Sequence, residues 1–311
     1  MEVSFTAWAA VLAVVAVMLV VDLVMHRDSH EISVKEAGFW TLIWIGVGLA
    51  VGAVIWWKYG ADFGLQYFTG YIIEKSLAID NVFVWAVIFG YFAIPAKYQH
   101  RILFYGVLGA LVLRFFFIAI GAYLISSFSW ILYVFGAFLI YTGVKMLRDR
   151  DGHGSPADSK LLQWFNRVVP STTEMFGDKF LVRLDGKRLA TPLLAALVVV
   201  EVTDVIFAVD SIPAVFAVTD EPFLVFASNA LAILGLRAMY FLLADVMDRF
   251  VYLKIGLSLV LVWVGLKMIV GHSLIQIPIL LSLAVVVGIL AVSIAASWYR
   301  TRNEVASQSQ D

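Results

Sequence analysis

Cysteine is absent from the 311 residues. That excludes disulfides and thiolate metal ligands and removes redox compartment as a clue. Charge is scarce too: 14% of residues are Asp, Glu, Lys or Arg, and the net charge is −1. So thin a charge gives no basic surface for nucleic acid, and no Lys/Arg block or RNA-binding motif occurs. Enzyme signatures are missing: there is no Walker loop, no His-Glu-x-x-His, no Gly-x-Ser-x-Gly and no zinc-type Cys/His spacing. The chain reads as a non-enzyme without a resident cofactor. Lacking a nucleotide site, any transport it performs is secondary or passive.

What is abundant is apolar sequence, at 62% of residues. Runs of about 20 apolar residues recur and predict transmembrane helices. They fall at 5–25, 38–57, 66–92, 102–125, 130–147, 190–218, 224–246, 250–270 and 277–299, an all-α polytopic membrane protein of about nine spans. The first run has no basic residue before it, carries Asp22 and lacks a small-residue cleavage site, so it reads as a retained helix. Basic residues alternate across the connections: Arg27, Lys35, Lys97, Arg101, Arg249, Lys254, Arg300 and Arg302 on one side, and only Lys58 on the other. The positive-inside rule then predicts an outside N-terminus and a cytoplasmic C-terminus. The 148–189 loop begins as a flexible linker, continues with a short amphipathic helix from Lys160, and ends in a hairpin around Asp185-Gly186.

Two segments nearly repeat one another: Glu74-Lys-Ser-Leu-Ala-Ile-Asp80-Asn81 and Asp204-Val-Ile-Phe-Ala-Val-Asp210-Ser211. Gly106–Arg114 is echoed by Asn229–Arg237, and Thr142-Gly-Val-Lys145 by Val264-Gly-Leu-Lys267, in the same order. The chain therefore divides into two N-terminal helices (1–65), a three-helix unit (66–147), the loop (148–189), a second three-helix unit (190–271), and a last helix with its tail (272–311). An odd helix number per unit makes the repeat inverted, a design that places transporter sites at the repeat interface.

Carboxylates at membrane depth cost roughly 2.5–3.5 kcal/mol each unless paired, protonated or bound to a cation. Candidate site residues are Glu74, Asp80, Asn81, Glu201, Asp204, Asp210 and Ser211, with Lys75, Arg114 and Arg237 as charge partners. The five acids and three bases leave two negative charges, the amount one divalent cation neutralises; protonation would serve equally. Oxygen donors of this kind suit Mn²⁺, Ca²⁺ or Mg²⁺. Acids six apart on a regular helix lie about 120° from each other. Each pair therefore acts at two depths, or its helix breaks; Pro213 predicts a break after Asp210.

The two acidic segments, Glu74–Val84 and Glu201–Ala214, resemble the TerC family of bacterial membrane proteins, especially its Alx branch. The resemblance covers nearly the whole chain. It implies an inner-membrane manganese exporter whose acidic cluster falls on Glu74, Asp80, Glu201, Asp204 and Asp210. Thr203 stands where many relatives have Ser, which keeps the hydroxyl. Tellurite resistance does not follow from these residues, because an acidic cluster repels an oxyanion. The expected function is proton-coupled Mn²⁺ export, with the metal ion and the lipid bilayer as partners. A Ca²⁺ or broad divalent transporter, a membrane scaffold or sensor, and an intramembrane hydrolase are the alternatives; the last lacks a Gly-x-Gly-Asp motif.

Overall fold

Long apolar stretches bounded by helix-start residues dictate the elements. Ser33 caps α2 (Val34–Tyr59) by accepting from the Glu36 amide at 3.3 Å, and proline opens α6 (Pro192–Phe216) and α7 (Pro222–Leu234). Proline suits a first turn because its missing N–H would have no partner there. Gly60 alone joins α2 to α3 (Ala61–Tyr91), at φ 99°, a conformation costly for other residues. The remaining helices are α1 (Phe5–Met25), α4 (Ala96–Ser127), α5 (Ile131–Arg148), α8 (Leu236–Leu243), α9 (Leu253–Ser273) and α10 (Ile279–Gln308). The computed structural model describes residues 3–25, 33–128, 130–148, 169–184, 187–243, 252–273 and 278–308.

Every predicted apolar run falls on a helix, or at 224–246 on the pair α7–α8, bent by 40° at Gly235. Among the described residues, six helices are long and apolar enough to cross a bilayer, and seven spans result if the bent pair is one. This is fewer than the nine expected. α3 carries Glu74, Lys75 and Asp80 in its middle, and the apolar part of α9 is only Ile255–Val270. The hairpin forms as expected, β1 (Leu181–Leu184) pairing antiparallel with β2 (Lys187–Ala190) in the register Leu184↔Lys187. The amphipathic segment from Lys160 lies outside the described residues, as do Asp185 and Gly186.

One expectation fails outright: helical bonding continues through Pro213 to Phe216. Pro213 removes a single bond, to the Val209 carbonyl, in the last turns of α6, and its own carbonyl still accepts from Ala217 at 2.9 Å.

α3 lies at the centre, against α2, α6, α7, α8 and α10. Small residues set the close contacts and reveal helix directions. Gly70 on α3 faces Ser228 while Lys75 reaches Ala232, so α3 and α7 run parallel. Gly106 meets Val200 and Gly121 meets Phe216, so α4 and α6 also run parallel. Gly136 lies on Gly265 and Gly143 on Ser258, so α5 and α9 run antiparallel. A Cβ on Gly265 would fall 2.7 Å from the Gly136 carbonyl oxygen. Gly265→Ala must therefore shift backbone, at a cost of about 1–3 kcal/mol. Gly46→Ala, with nothing within 4 Å of its Cβ, is the matched control. Thermal melting in detergent should show the first variant lowered and the second unchanged.

Candidate functional site

Seven residues along a helix return to within about 20° of the same face, whereas six miss it by about 120°. Glu74 and Asn81 therefore share one face of α3, and Asp204 and Ser211 share one face of α6. These two faces meet. Between them comes Arg114 from α4, parallel to α6 and close beside it. All five side chains are buried; Glu74, Arg114 and Asp204 are only 1%, 2% and 3% exposed.

The Arg114 guanidinium grips Asp204 with two bonds, Nη2 to Oδ1 at 3.0 Å and Nε to Oδ2 at 3.2 Å. Its Nη1 pairs with Glu74 Oε1 and donates to Ser211 Oγ at 3.1 Å. Ser211 Oγ donates in turn to Glu74 Oε1 at 3.3 Å, and Asn81 Nδ2 stands 3.5 Å from Asp204 Oδ1. Such a planar fork is what arginine offers carboxylates. Two carboxylates share one guanidinium, a formal excess of one negative charge in a site nearly closed to water.

Oxygen acceptors are also left over. Glu74 Oε2 and Asn81 Oδ1 are buried with no hydrogen-bond partner among the described residues. Unmet buried acceptors are costly and uncommon, and they fit a proton or a hard cation. Glu201, one turn before Asp204, carries a third such oxygen, Oε2. Its carboxyl lies over the bare Cα of Gly109, where a Cβ would fall 2.6 Å from Oε2; glycine there makes room for the acid.

Asp210, Lys75 and Arg237 do not join this cluster. Asp210, six residues beyond Asp204, turns towards α5, with Thr142 and Lys145 as its polar neighbours. The side chain of Asp80 lies outside the described residues, although its backbone continues α3. Lys75, next to Glu74 and so about 100° around the helix, donates to the Ala232 carbonyl at 3.0 Å. That carbonyl belongs to the last turn of α7, where the bend at Gly235 frees backbone acceptors and a cation is favoured. Arg237 is not a partner of the site acids either. It lies on α8, beyond the bend, and pairs with Asp22 of α1 at 2.9 Å. Sequence reasoning missed Asp22 as a partner, though a lone acid in an apolar run was its signal. Among the described residues, no group of three or more acids or histidines is placed to hold a metal ion. Of the seven residues expected from sequence, Glu74, Asn81, Asp204 and Ser211 come together around the Arg114 guanidinium, Glu201 lies alongside, and Asp210 turns away.

The sequence pattern described as the integral membrane protein TerC family matches residues 59–305. An uncharacterized membrane protein of Myxococcus xanthus, STKORF319, is 48% identical over 97% of this chain and 95% of its own length. Alx of Escherichia coli, named as a proposed membrane-bound redox modulator, is 47% identical over 96% of each chain. An uncharacterized membrane protein of Rickettsia bellii is 38% identical over 94% of this chain and 97% of its own. No solved structure matches the chain.

Proposed function

We infer from two facts, that the chain belongs to the TerC family of integral membrane proteins and that its buried carboxylates share one guanidinium, that it is a secondary transporter of divalent metal. The carrying observation is the Glu74–Arg114–Asp204 triad: negative charge in excess, unmet oxygen acceptors, and a cation held by side-chain bonds alone. Arg114 keeps the carboxylates aligned while no metal is bound. A divalent ion would take over the carboxylate oxygens, with Asn81, Ser211 and Glu201 as further oxygen ligands. The parallel pairs α3–α7 and α4–α6 about an antiparallel α5–α9 contact support the reading of two inverted units that rock around this point.

Amide, hydroxyl and carboxylate oxygens suit hard or borderline ions such as Mn²⁺, Ca²⁺ and Mg²⁺, and the resemblance to the Alx branch makes Mn²⁺ the proposed substrate among them. Protons compete with metal for the same carboxylates, so an acid exterior favours release there and drives export from the cytoplasm across a bacterial inner membrane. Without cysteine the chain performs no thiol–disulfide exchange. Any redox modulation of the sort named for its relative would act by a route other than cysteine thiols.

The test is Mn²⁺ flux in proteoliposomes of the purified chain, run with Ca²⁺, Mg²⁺ and Fe²⁺ as competitors. Flux of Mn²⁺ that rises when the receiving compartment is acidified is the expected result. No flux of any divalent ion under either gradient would leave the scaffold or sensor reading standing.

A further inference from the structure

α1 and α2 each lie against α7 rather than against one another. Between them remains a cavity of about 470 Å³, within the range of roughly 300–1,000 Å³ usual for small-molecule sites. Ala10 and Val14 of α1 form one wall, Val47, Ala50 and Val54 of α2 the other, and Phe223 of α7 closes the floor. The cleft is apolar along its length and ends at Lys58 and Tyr59. There the chemistry changes. The Tyr59 hydroxyl is buried with no hydrogen-bond partner among the described residues, and the Lys58 ammonium stands 5.3 Å from the Tyr59 ring centroid.

We propose that this cleft binds one phospholipid, an acyl chain lying along α2 and the phosphate resting on Lys58 and Tyr59. Dimensions select this occupant. From Val47 to Lys58 the helix rises about 17 Å at 1.5 Å per residue, close to the roughly 15 Å depth of one leaflet's hydrocarbon. An acyl chain that fills the cleft therefore brings its headgroup level with the cation. An uncharged apolar molecule would leave the ammonium and the phenol unused. A phosphate takes a charge-assisted bond from Lys58 and a second from the tyrosine hydroxyl. The bound lipid also has a structural task. α1 meets the rest of the chain chiefly at α7, yet it supplies Asp22 to Arg237 on α8. A lipid wedged between α1 and α2 holds α1 in that position.

The site is independent of the transport reading, and it is tested by binding alone. The full chain, purified in dodecyl maltoside, is titrated with phosphatidylglycerol, diacylglycerol or inorganic phosphate and read by native mass spectrometry. One saturable phosphatidylglycerol per chain is the expected stoichiometry. Lys58→Glu should weaken it about tenfold, the scale of one charge-assisted bond lost, and Ala50→Trp should abolish it by filling the cleft. Diacylglycerol and inorganic phosphate should each bind at least about tenfold more weakly than the phospholipid, for the same reason. Phosphatidylglycerol binding that is unsaturable, equal in wild type and Lys58→Glu, or matched by diacylglycerol overturns the proposal. If Ala50→Trp does not fold, Lys58→Glu decides, because Lys58 is exposed and its change leaves helix contacts intact.

Discussion

Asp204→Asn should stop metal transport and leave a folded protein. The substitution keeps side-chain volume and one acceptor for Arg114, and Glu74 still pairs the guanidinium. What changes is the charge. The triad goes from a formal excess of one negative charge to none, so an arriving divalent ion would leave two positive charges buried. Burying unpaired charge costs far more than a lost hydrogen bond. Partners that merely orient metal ligands are worth about 10–100-fold in affinity; removing a ligand that also carries the charge should lower Mn²⁺ flux by on the order of 100-fold or more. Glu74→Gln should behave alike, since it occupies the mirror position on α3. Asp210→Asn is the informative comparison. Asp210 faces Thr142 and Lys145 on α5, away from the triad, and its loss should reduce flux less than loss of Asp204. The measurement is proteoliposome flux normalised to folded protein by size-exclusion chromatography. Undiminished transport by Asp204→Asn would remove the triad from the mechanism.

Much of this site was legible in the sequence, in a particular way. Cost at membrane depth singled out Glu74, Asp204 and Arg114, and all three meet. Azimuth on a regular helix already showed that acids six apart cannot converge. It did not show that Asn81 and Ser211, one position further, would take their place on the shared face. The fault lay in letting Pro213 break α6. Helical bonding runs on to Phe216, and the pair simply diverges. Internal duplication misled in a second way. Arg114 and Arg237 end the echoed segments Gly106–Arg114 and Asn229–Arg237, but Arg237 comes after the Gly235 bend and meets α1, an element outside both segments. Equivalence along a repeat does not carry over to partners supplied from elsewhere in the chain. The cleft at Lys58 was invisible for a related reason: it depends on α1 and α2 standing apart on α7, and no residue pattern within either helix records that spacing.

Arg114 offers the sharpest test, because it should behave as a tethered stand-in for the metal. Arg114→Met leaves Glu74 and Asp204 facing one another, buried and unpaired. Breaking a buried ion network by removing one partner costs about 3–5 kcal/mol, enough to lower the melting temperature in detergent clearly. Removing the charges together should not. Arg114→Met combined with Glu74→Gln and Asp204→Asn should recover most of that stability, because a buried triad replaced as a whole is often neutral. Mn²⁺ then separates a structural salt bridge from a metal site. Ligand at a hundred times its dissociation constant stabilises by about 2.7 kcal/mol, so Mn²⁺ should restore more than half of what Arg114→Met loses. It should stabilise the wild type less, since there the guanidinium already occupies the carboxylates. The triple variant should not respond at all. Transport sharpens the distinction further. If Arg114 returns to the carboxylates as metal leaves, Arg114→Met binds Mn²⁺ more tightly yet turns over more slowly, a rise in affinity with a fall in maximal flux. A variant destabilised but indifferent to Mn²⁺ would make Arg114 a brace for the helices and place the transported ion elsewhere.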